Sequence, residues 1–244
     1  MKKDEIFAHS SRKVGDFAFD DAVADVFPDM ISRSVPGYAS VLAMIGELAE
    51  KYVQPESNVY DLGCSLGAAS FMMQPRVPAS CRIIAVDNSA AMLSRLQSKL
   101  ESEPMGSAIC PISLVEDDIR DCEVSNASMV VLNLTLQFVP VAERLGVLQS
   151  IFRGLIPGGA LLLAEKLRFD DVRQHELLTE LHHDFKRAHG YSDLEISEKR
   201  TAIENRLIPE TMQEHCERLI LAGFNTVVPW FQCFNFTSFL AVKD

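Results

Sequence analysis

Hydrophobic residues fall along this chain in two alternating rhythms. Short, nearly unbroken apolar runs occur at 58–62, 81–88, 112–120, 128–138 and 160–166, the third of them running into an acidic loop. Runs of this length without polar alternation fit parallel strands buried on both faces. Between them the apolar residues take helical spacing. Over 38–52, Val41, Leu42, Ile45, Leu48 and Ala49 share one face. Further helices are expected at 68–73, 90–100, 141–155 and 211–222, the third of these closed by the stop Ile156-Pro157-Gly158-Gly159 and the last by Gly223. Residues 226–232 and 235–242, rich in β-branched and aromatic side chains, read as a closing pair of strands. This order predicts an α/β fold, a doubly wound Rossmann-like sheet.

Two segments stand outside the alternation. Residues 1–35 carry Phe7, Phe17, Phe19, Val23, Val26, Phe27 and Met30 among acidic residues. They predict a helical flap with an amphipathic helix over 21–31, covering the core or closing over a ligand. A turn at 33–38 follows, with Pro36 and Gly37 as its punctuation. Residues 167–208, rich in His, Glu and Arg, predict a helical insertion after the fifth strand. The 244 residues are expected to form one domain.

Composition narrows the function classes. The formal net charge is −11, which favours a small-molecule substrate over direct binding of nucleic acid. No apolar run is long enough to cross a bilayer. The six cysteines include no C-x-x-C pair, and the first residues carry no apolar signal segment. Free thiols, a cytoplasmic location and no metal site are therefore expected.

The candidate chemistry starts at Asn58-Val59-Tyr60-Asp61-Leu62-Gly63-Cys64-Ser65-Leu66-Gly67. A strand that breaks at glycine and opens into a helix offers backbone N–H groups at the positive end of a helix dipole. The spacing Gly63-x-x-x-Gly67 is not the dinucleotide fingerprint. Cys64 reads as a small residue lining a pocket. Asp87 ends the second strand, where it is suited to accept both hydrogen bonds of a ribose diol, or else to cap the next helix. Asp118 and the N–H of Ile119, in the acidic loop, are placed to contact an adenine ring. Asn133 is a polar interruption of the fourth apolar run and must find a partner. His182-His183, with His175 and His189, read as helix surface or partner contacts, and adjacent helical residues point apart, so the pair is not expected to chelate one metal. Arg200 is either a solvated helix residue or a guanidinium clamp for a carboxylate.

Taken with Val35-Pro36-Gly37-Tyr38, Val86-Asp87-Asn88-Ser89, Glu116-Asp117-Asp118-Ile119-Arg120, Asn133-Leu134-Thr135-Leu136-Gln137-Phe138, His182-His183-Asp184-Phe185-Lys186-Arg187 and Trp230-Phe231-Gln232-Cys233-Phe234-Asn235-Phe236, the glycine loop has a specific likeness. The chain resembles the carboxy-S-adenosylmethionine synthases over nearly its whole length. They are a branch of the class I S-adenosylmethionine-dependent methyltransferase-like superfamily. Ser65 stands where the wider superfamily has a glycine. The resemblance implies a methyltransferase-type sheet and an enzyme that combines S-adenosylmethionine with prephenate, giving carboxy-S-adenosylmethionine and phenylpyruvate. A separate enzyme then uses the product to make 5-carboxymethoxyuridine at the tRNA wobble position. It implies that Tyr38, Gly63, Cys64, Ser65, Asp87, Asn88, Asp118, Ile119 and Asn133 line the S-adenosylmethionine site, and that Arg200 holds the new carboxylate. It also implies a homodimer in which the insertion serves as dimer and lid element. An ordinary methyltransferase acting on a small acid, or a non-catalytic S-adenosylmethionine-binding protein, would keep the same nucleoside pocket.

Overall fold

The computed structural model describes residues 2–7, 18–102, 109–203 and 206–244. Eight helices and seven strands follow in the order α1 (Asp21–Ser34), α2 (Tyr38–Tyr52), β1 (Asn58–Leu62), α3 (Ala68–Met73), β2 (Arg82–Asp87), α4 (Ala90–Ser102), β3 (Ile112–Glu116), β4 (Ala127–Asn133), α5 (Val141–Gly154), β5 (Leu155–Lys166), α6 (Val172–Ala188), α7 (Asp193–Ile203), α8 (Met212–Ala222), β6 (Thr226–Cys233) and β7 (Phe236–Val242), counted among the described residues. They build one sheet in the order β3-β2-β1-β4-β5-β7-β6. The first five strands are mutually parallel, and β7 runs antiparallel to both β5 and β6. Strand order reverses between β1 and β4, which opens a crevice above their carboxyl ends.

The period of two along each strand decides which helix it meets. Val59, Ile83, Met129, Val131 and Leu162 face Val41, Ile45 and Ala49 of α2. Tyr60, Leu62, Val130, Leu132, Leu161 and Leu163 face Val147, Leu148 and Ile151 of α5 and Leu219 of α8. Each of these side chains is buried, and full burial of one such residue is worth roughly 1.5–3 kcal/mol. The central strands are therefore apolar on both faces, as their unbroken runs predict.

The boundaries differ from the sequence reading in four places. The amphipathic α1 continues to Ser34, so Arg33 and Ser34 belong to the helix and not to the following turn. The fourth run does not stay extended to Phe138. It ends at Asn133, Leu134 turns with φ 64°, and Leu136–Phe138 form a 3-10 turn. The Pro-Gly-Gly stop at 157–159 is part of β5, which starts at Leu155. There the register against β4 shifts between Ala127 and Met129 and absorbs the extra residues. The acidic loop leaves the sheet after Glu116. Phe17 lies outside the described residues.

The flap is held by polar contacts as well as by Phe19, which packs edge-on to Phe27 and Phe138 at 6.1 and 5.6 Å. Asp20 caps α1 by accepting from Val23 N–H at 3.0 Å, and the Ser89 hydroxyl donates to Phe19 C=O at 2.6 Å. Arg95 of α4 forks onto Asp21 and Asp25.

A second tie fixes the return from the helical insertion. Arg144 of α5 is completely buried. It donates to the carbonyls of Val139 (2.9 Å), Gln137 (3.0 Å) and Ile208 (2.8 Å), and pairs with Glu210, which also pairs with Arg218. One guanidinium thus joins the loop after β4 to the segment before α8. Removing Arg144 leaves Glu210 with Arg218 alone and strips the carbonyls of Val139, Gln137 and Ile208 of their buried donor. We expect Arg144→Met to lose about 3–5 kcal/mol of stability in urea unfolding, with the loop after β4 loosened in hydrogen exchange.

Candidate functional site

The carboxyl ends of β1 and β2 assemble the first part of the site. After Leu62 the chain reverses through Gly63 (φ 78°), Ser65 (φ 48°) and Gly67 (φ 75°), and Gly67 caps α3. Gly63 and Cys64 both donate N–H to Val86 C=O, at 2.8 and 3.0 Å, so the loop hangs from β2. A Cβ on Gly63 would lie 2.3 Å from the Thr135 methyl, so no side chain fits between this loop and the one after β4. Asp61 does not point into the crevice. Its carboxylate accepts from Ser70 N–H at 3.0 Å and Ser70 hydroxyl at 2.6 Å, and so fixes the first turn of α3. Burial pushes its pKa up to about 6 against those hydrogen bonds.

Asp87 ends β2 as expected, and it also organises the loop. One oxygen accepts from Ser65 N–H at 2.8 Å and the other from Ser89 N–H at 2.9 Å. Ser89, not Asp87, caps α4, its hydroxyl accepting from Met92 N–H at 3.2 Å. Burial raises the Asp87 pKa while these amides pull it down. A carboxylate has acceptor capacity beyond these bonds. Burial beside Asp61 and Asp87 pushes the Cys64 thiol far up, so it is no nucleophile. Asp118 is held from one side by Arg120, through 2.9 and 2.8 Å bonds, which lower its pKa together with Asn88. Ile119 packs at the edge of the core cluster beneath it.

The ends of β4 and β5 build the other part. Asn133 faces a narrow cleft lined by Val35, Pro36, Tyr38, Ala164, Phe231 and Phe236, among others. Its Oδ1 is buried and has no hydrogen-bond partner in the protein. Such an atom is costly unless a ligand satisfies it. Tyr38 opens α2 after Gly37, whose left-handed backbone (φ 77°) packs so closely on Phe231 that an added Cβ would lie 2.4 Å from the ring. Burial, and then Asp61, push the Tyr38 pKa upward, so its hydroxyl stays protonated. Of the expected site residues Tyr38 and Asn133 line this cleft, while Gly63, Cys64 and Ser65 follow β1, Asp87 and Asn88 end β2, and Asp118 and Ile119 follow β3 at the same carboxyl edge of the sheet. Arg200 lies apart on α7, exposed, yet close enough to Lys166 and His183 to disfavour their charged forms. Among the described residues Arg200 has no ion pair.

The histidine reading needs one correction. His182 is not surface but buried. Its Nε2 meets Ser34 C=O at 2.8 Å, and its ring packs edge-on to Phe236 at 5.0 Å. The sequence of α6 carries no information about α1, whose Ser34 carbonyl meets the ring. Sequence reasoning also passed over Lys166 and Glu165 at the end of a buried strand. The available signal was a charged pair closing an otherwise apolar run.

The comparisons with known proteins fit this geometry. Residues 59–159 match the model of the family described as a methyltransferase domain. Human N-acetylserotonin methyltransferase in complex with SAM superposes with TM-score 0.61 at 18% identity, over 91% of this chain and 55% of that one. Magnesium protoporphyrin IX methyltransferase from Synechocystis with bound SAH superposes with TM-score 0.60 at 14% identity, over 88% and 87%. These define the class: a methyltransferase-type Rossmann fold with its crevice at the β1–β4 switch. Closer relatives narrow it. A carboxy-S-adenosyl-L-methionine synthase of Vibrio cholerae is 52% identical over 99% of this chain and 97% of its own length. One from Yersinia enterocolitica is 52% identical over 99% and 90%. The chain belongs to the carboxy-S-adenosyl-L-methionine synthase family, a family of transferases.

Glu165 gives the site a pH signature. It is fully buried between Ala164 and Lys166, and neither oxygen has a hydrogen-bond partner. Burial pushes its pKa up to about 8, against the pull of Arg144. An ordinary Glu in the unfolded chain titrates near 4.3. Between those values the native state binds more protons than the unfolded state, so stability falls as pH rises through the window. We expect urea midpoints of the wild-type protein to decline from about pH 5 to 8, and those of Glu165→Gln to stay flatter over the same range.

Proposed function

We propose that this chain converts S-adenosylmethionine and prephenate to carboxy-S-adenosylmethionine and phenylpyruvate, with Tyr38, Gly63, Cys64, Ser65, Asp87, Asn88, Asp118, Ile119 and Asn133 lining the nucleoside and amino-acid subsites and Arg200 holding the transferred carboxylate. The observation that carries the reading is the buried, unsatisfied Asn133 Oδ1 beside a loop whose Asp87 has acceptor capacity beyond its amide bonds, within a chain of the synthase family. The residues present suit S-adenosylmethionine. Asp87 offers acceptors for a diol, Asn133 an acceptor for an ammonium group, and the close approach of Gly63 to Thr135 leaves backbone rather than side chain at the crevice floor.

Prephenate that loses CO₂ and hydroxide becomes aromatic. The hydroxide takes a proton from the sulfonium methyl and leaves as water. The resulting ylide carbon adds to the CO₂, and atoms and charges balance without a side-chain base. The protein's part is then to bind, orient and keep solvent water out. The cleft walls Val35, Pro36, Phe231 and Phe236 are suited to the last of these.

We further propose a cytoplasmic homodimer, the 244 residues acting as one S-adenosylmethionine-binding unit. Its product feeds a separate enzyme that carboxymethylates the tRNA wobble uridine. The net charge of −11 is consistent with a step that holds no tRNA itself.

The decisive measurement is mass spectrometry of the product formed from the two substrates. A demethylated cofactor with a methylated acid would instead mark an ordinary methyltransferase. Asp87→Ala should weaken S-adenosylmethionine binding by roughly 1.5–3 kcal/mol in calorimetry, through loss of a charge-assisted acceptor. Arg200→Lys should impair carboxylated product, because it keeps the charge and loses the two-pronged geometry, and Arg200→Ala should impair it more. Both Arg200 variants should keep cofactor affinity. Full activity in Arg200→Ala would remove the clamp.

A further inference from the structure

Three cations lie near one another at the carboxyl edge of β5, and none has an ion-pair partner among the described residues. Lys166 is the last residue of β5, and its ladder partner on β7 is Phe236, a wall of the cleft. Phe236 packs against His182 of α6. Lys186 lies one helical turn beyond His182 on α6, so the two share a face. Arg200 comes from α7. Lys166 and Lys186 are half-buried. Among the described residues, none of the three forms an ion pair.

Of the nearby acids, Glu165 alternates to the opposite face of β5, toward Arg144, and two others are committed elsewhere. Asp4 is buried, accepts from the Tyr191 hydroxyl and pairs with Lys199 at 3.6 Å. Asp29 accepts from Arg33 at 3.0 Å and from Asp4 N–H at 2.7 Å. Lys199 donates to the Ser34 hydroxyl at 2.9 Å. An acidic chain that gathers unpaired, half-buried cations has built a place for an anion, since each such charge is unfavourable until one arrives.

We propose that Lys166 and Lys186 form a second anion subsite, which holds the carboxylate that the acid substrate keeps, while Arg200 holds the one that is transferred. The inference rests on the reaction proposed above and deepens it. A dianionic acid needs two cationic points to fix its orientation across the cleft. Lysine ammonium groups suit the retained carboxylate, which needs a point charge and no defined fork.

The electrostatics add a pH dependence. Burial, then Lys166 and Lys199, hold Lys186 down at about 7. Burial and Arg200 lower Lys166 as well. The groups facing Lys186 are Lys166 from β5, Lys199 from α7, and His182 and His183 from its own helix. Burial keeps both histidines below their usual range, so Lys186 is the group that changes charge near neutrality. An anion binds the charged form, so affinity is highest below about pH 7 and weakens as pH rises above it.

The test is calorimetric titration of prephenate and, separately, of phenylpyruvate into the full-length protein with S-adenosylhomocysteine present, which has no methyl group to carboxylate. Lys166→Met and Lys186→Met should each weaken binding of both acids by about ten- to hundredfold. S-adenosylhomocysteine affinity should be unchanged, which also reports that the variants fold. Arg200→Ala should affect prephenate far more than phenylpyruvate. Lys186→Arg should restore binding and reduce its fall between pH 6.5 and 8.5. Unchanged acid affinity in both methionine variants would overturn the subsite, as would wild-type KM for prephenate in turnover. Acid binding that depends on the lysines, in a protein that forms no carboxylated product, would support the subsite and sink the reaction.

Discussion

Burial of charge at the carboxyl edge of the sheet is the constraint on which the rest of this structure depends. Three of the five parallel strands, β1, β2 and β5, deliver the buried Asp61, Asp87 and Glu165 and the half-buried Lys166 to one rim. Burial raises each acid and lowers the lysine. The loops above the rim respond to that cost. Ser70, Ser65 and Ser89 are placed to donate to the two aspartates, and the serine-bearing turns are left-handed or capped where a plain turn would not reach.

The rim is electrostatically divided. The β1–β2 side gathers carboxylates and backbone donors. The β5 side gathers Lys166, Lys186 and Arg200 from three elements. Asn133 sits between, its Oδ1 without a partner. A cleft polarised in this way favours two ligands of opposite character held side by side, one rich in hydroxyl and ammonium donors and one rich in carboxylates. A site for methyl transfer to a neutral acceptor has no need of the second half.

The flap and the helical insertion are one mechanical unit. Arg33 of α1 stacks over Tyr191 at 3.9 Å and donates to His189 C=O at 2.6 Å. Ser34 takes His182 on its carbonyl and Lys199 on its hydroxyl. The same α1 carries Asp21 and Asp25 to Arg95 on α4. Any movement of α6 or α7 over the cleft therefore draws the N-terminal segment with it. Arg144 holds the opposite end of the insertion to the loop after β4.

The sequence by itself determined the order of strands and helices, the parallel sheet and the glycine loop with Asp87 after it. Those follow from local periodicity and from glycine and proline chemistry, which act over a few residues. It also determined the family, through blocks spread over the whole chain. Only the tertiary structure decided where β4 stops, because the left-handed turn at Leu134 depends on Ala164 C=O, which accepts the Leu134 N–H at 2.8 Å. Only it showed that Asp61 serves α3 instead of the crevice, that His182 is buried under α1, and that Arg144 ties two distant loops. Only it brought Lys166, Lys186 and Arg200 together, from positions up to 34 residues apart. Contacts between elements far apart in sequence leave no periodic trace along the chain, and the balance of charge at a site is a property of the whole neighbourhood.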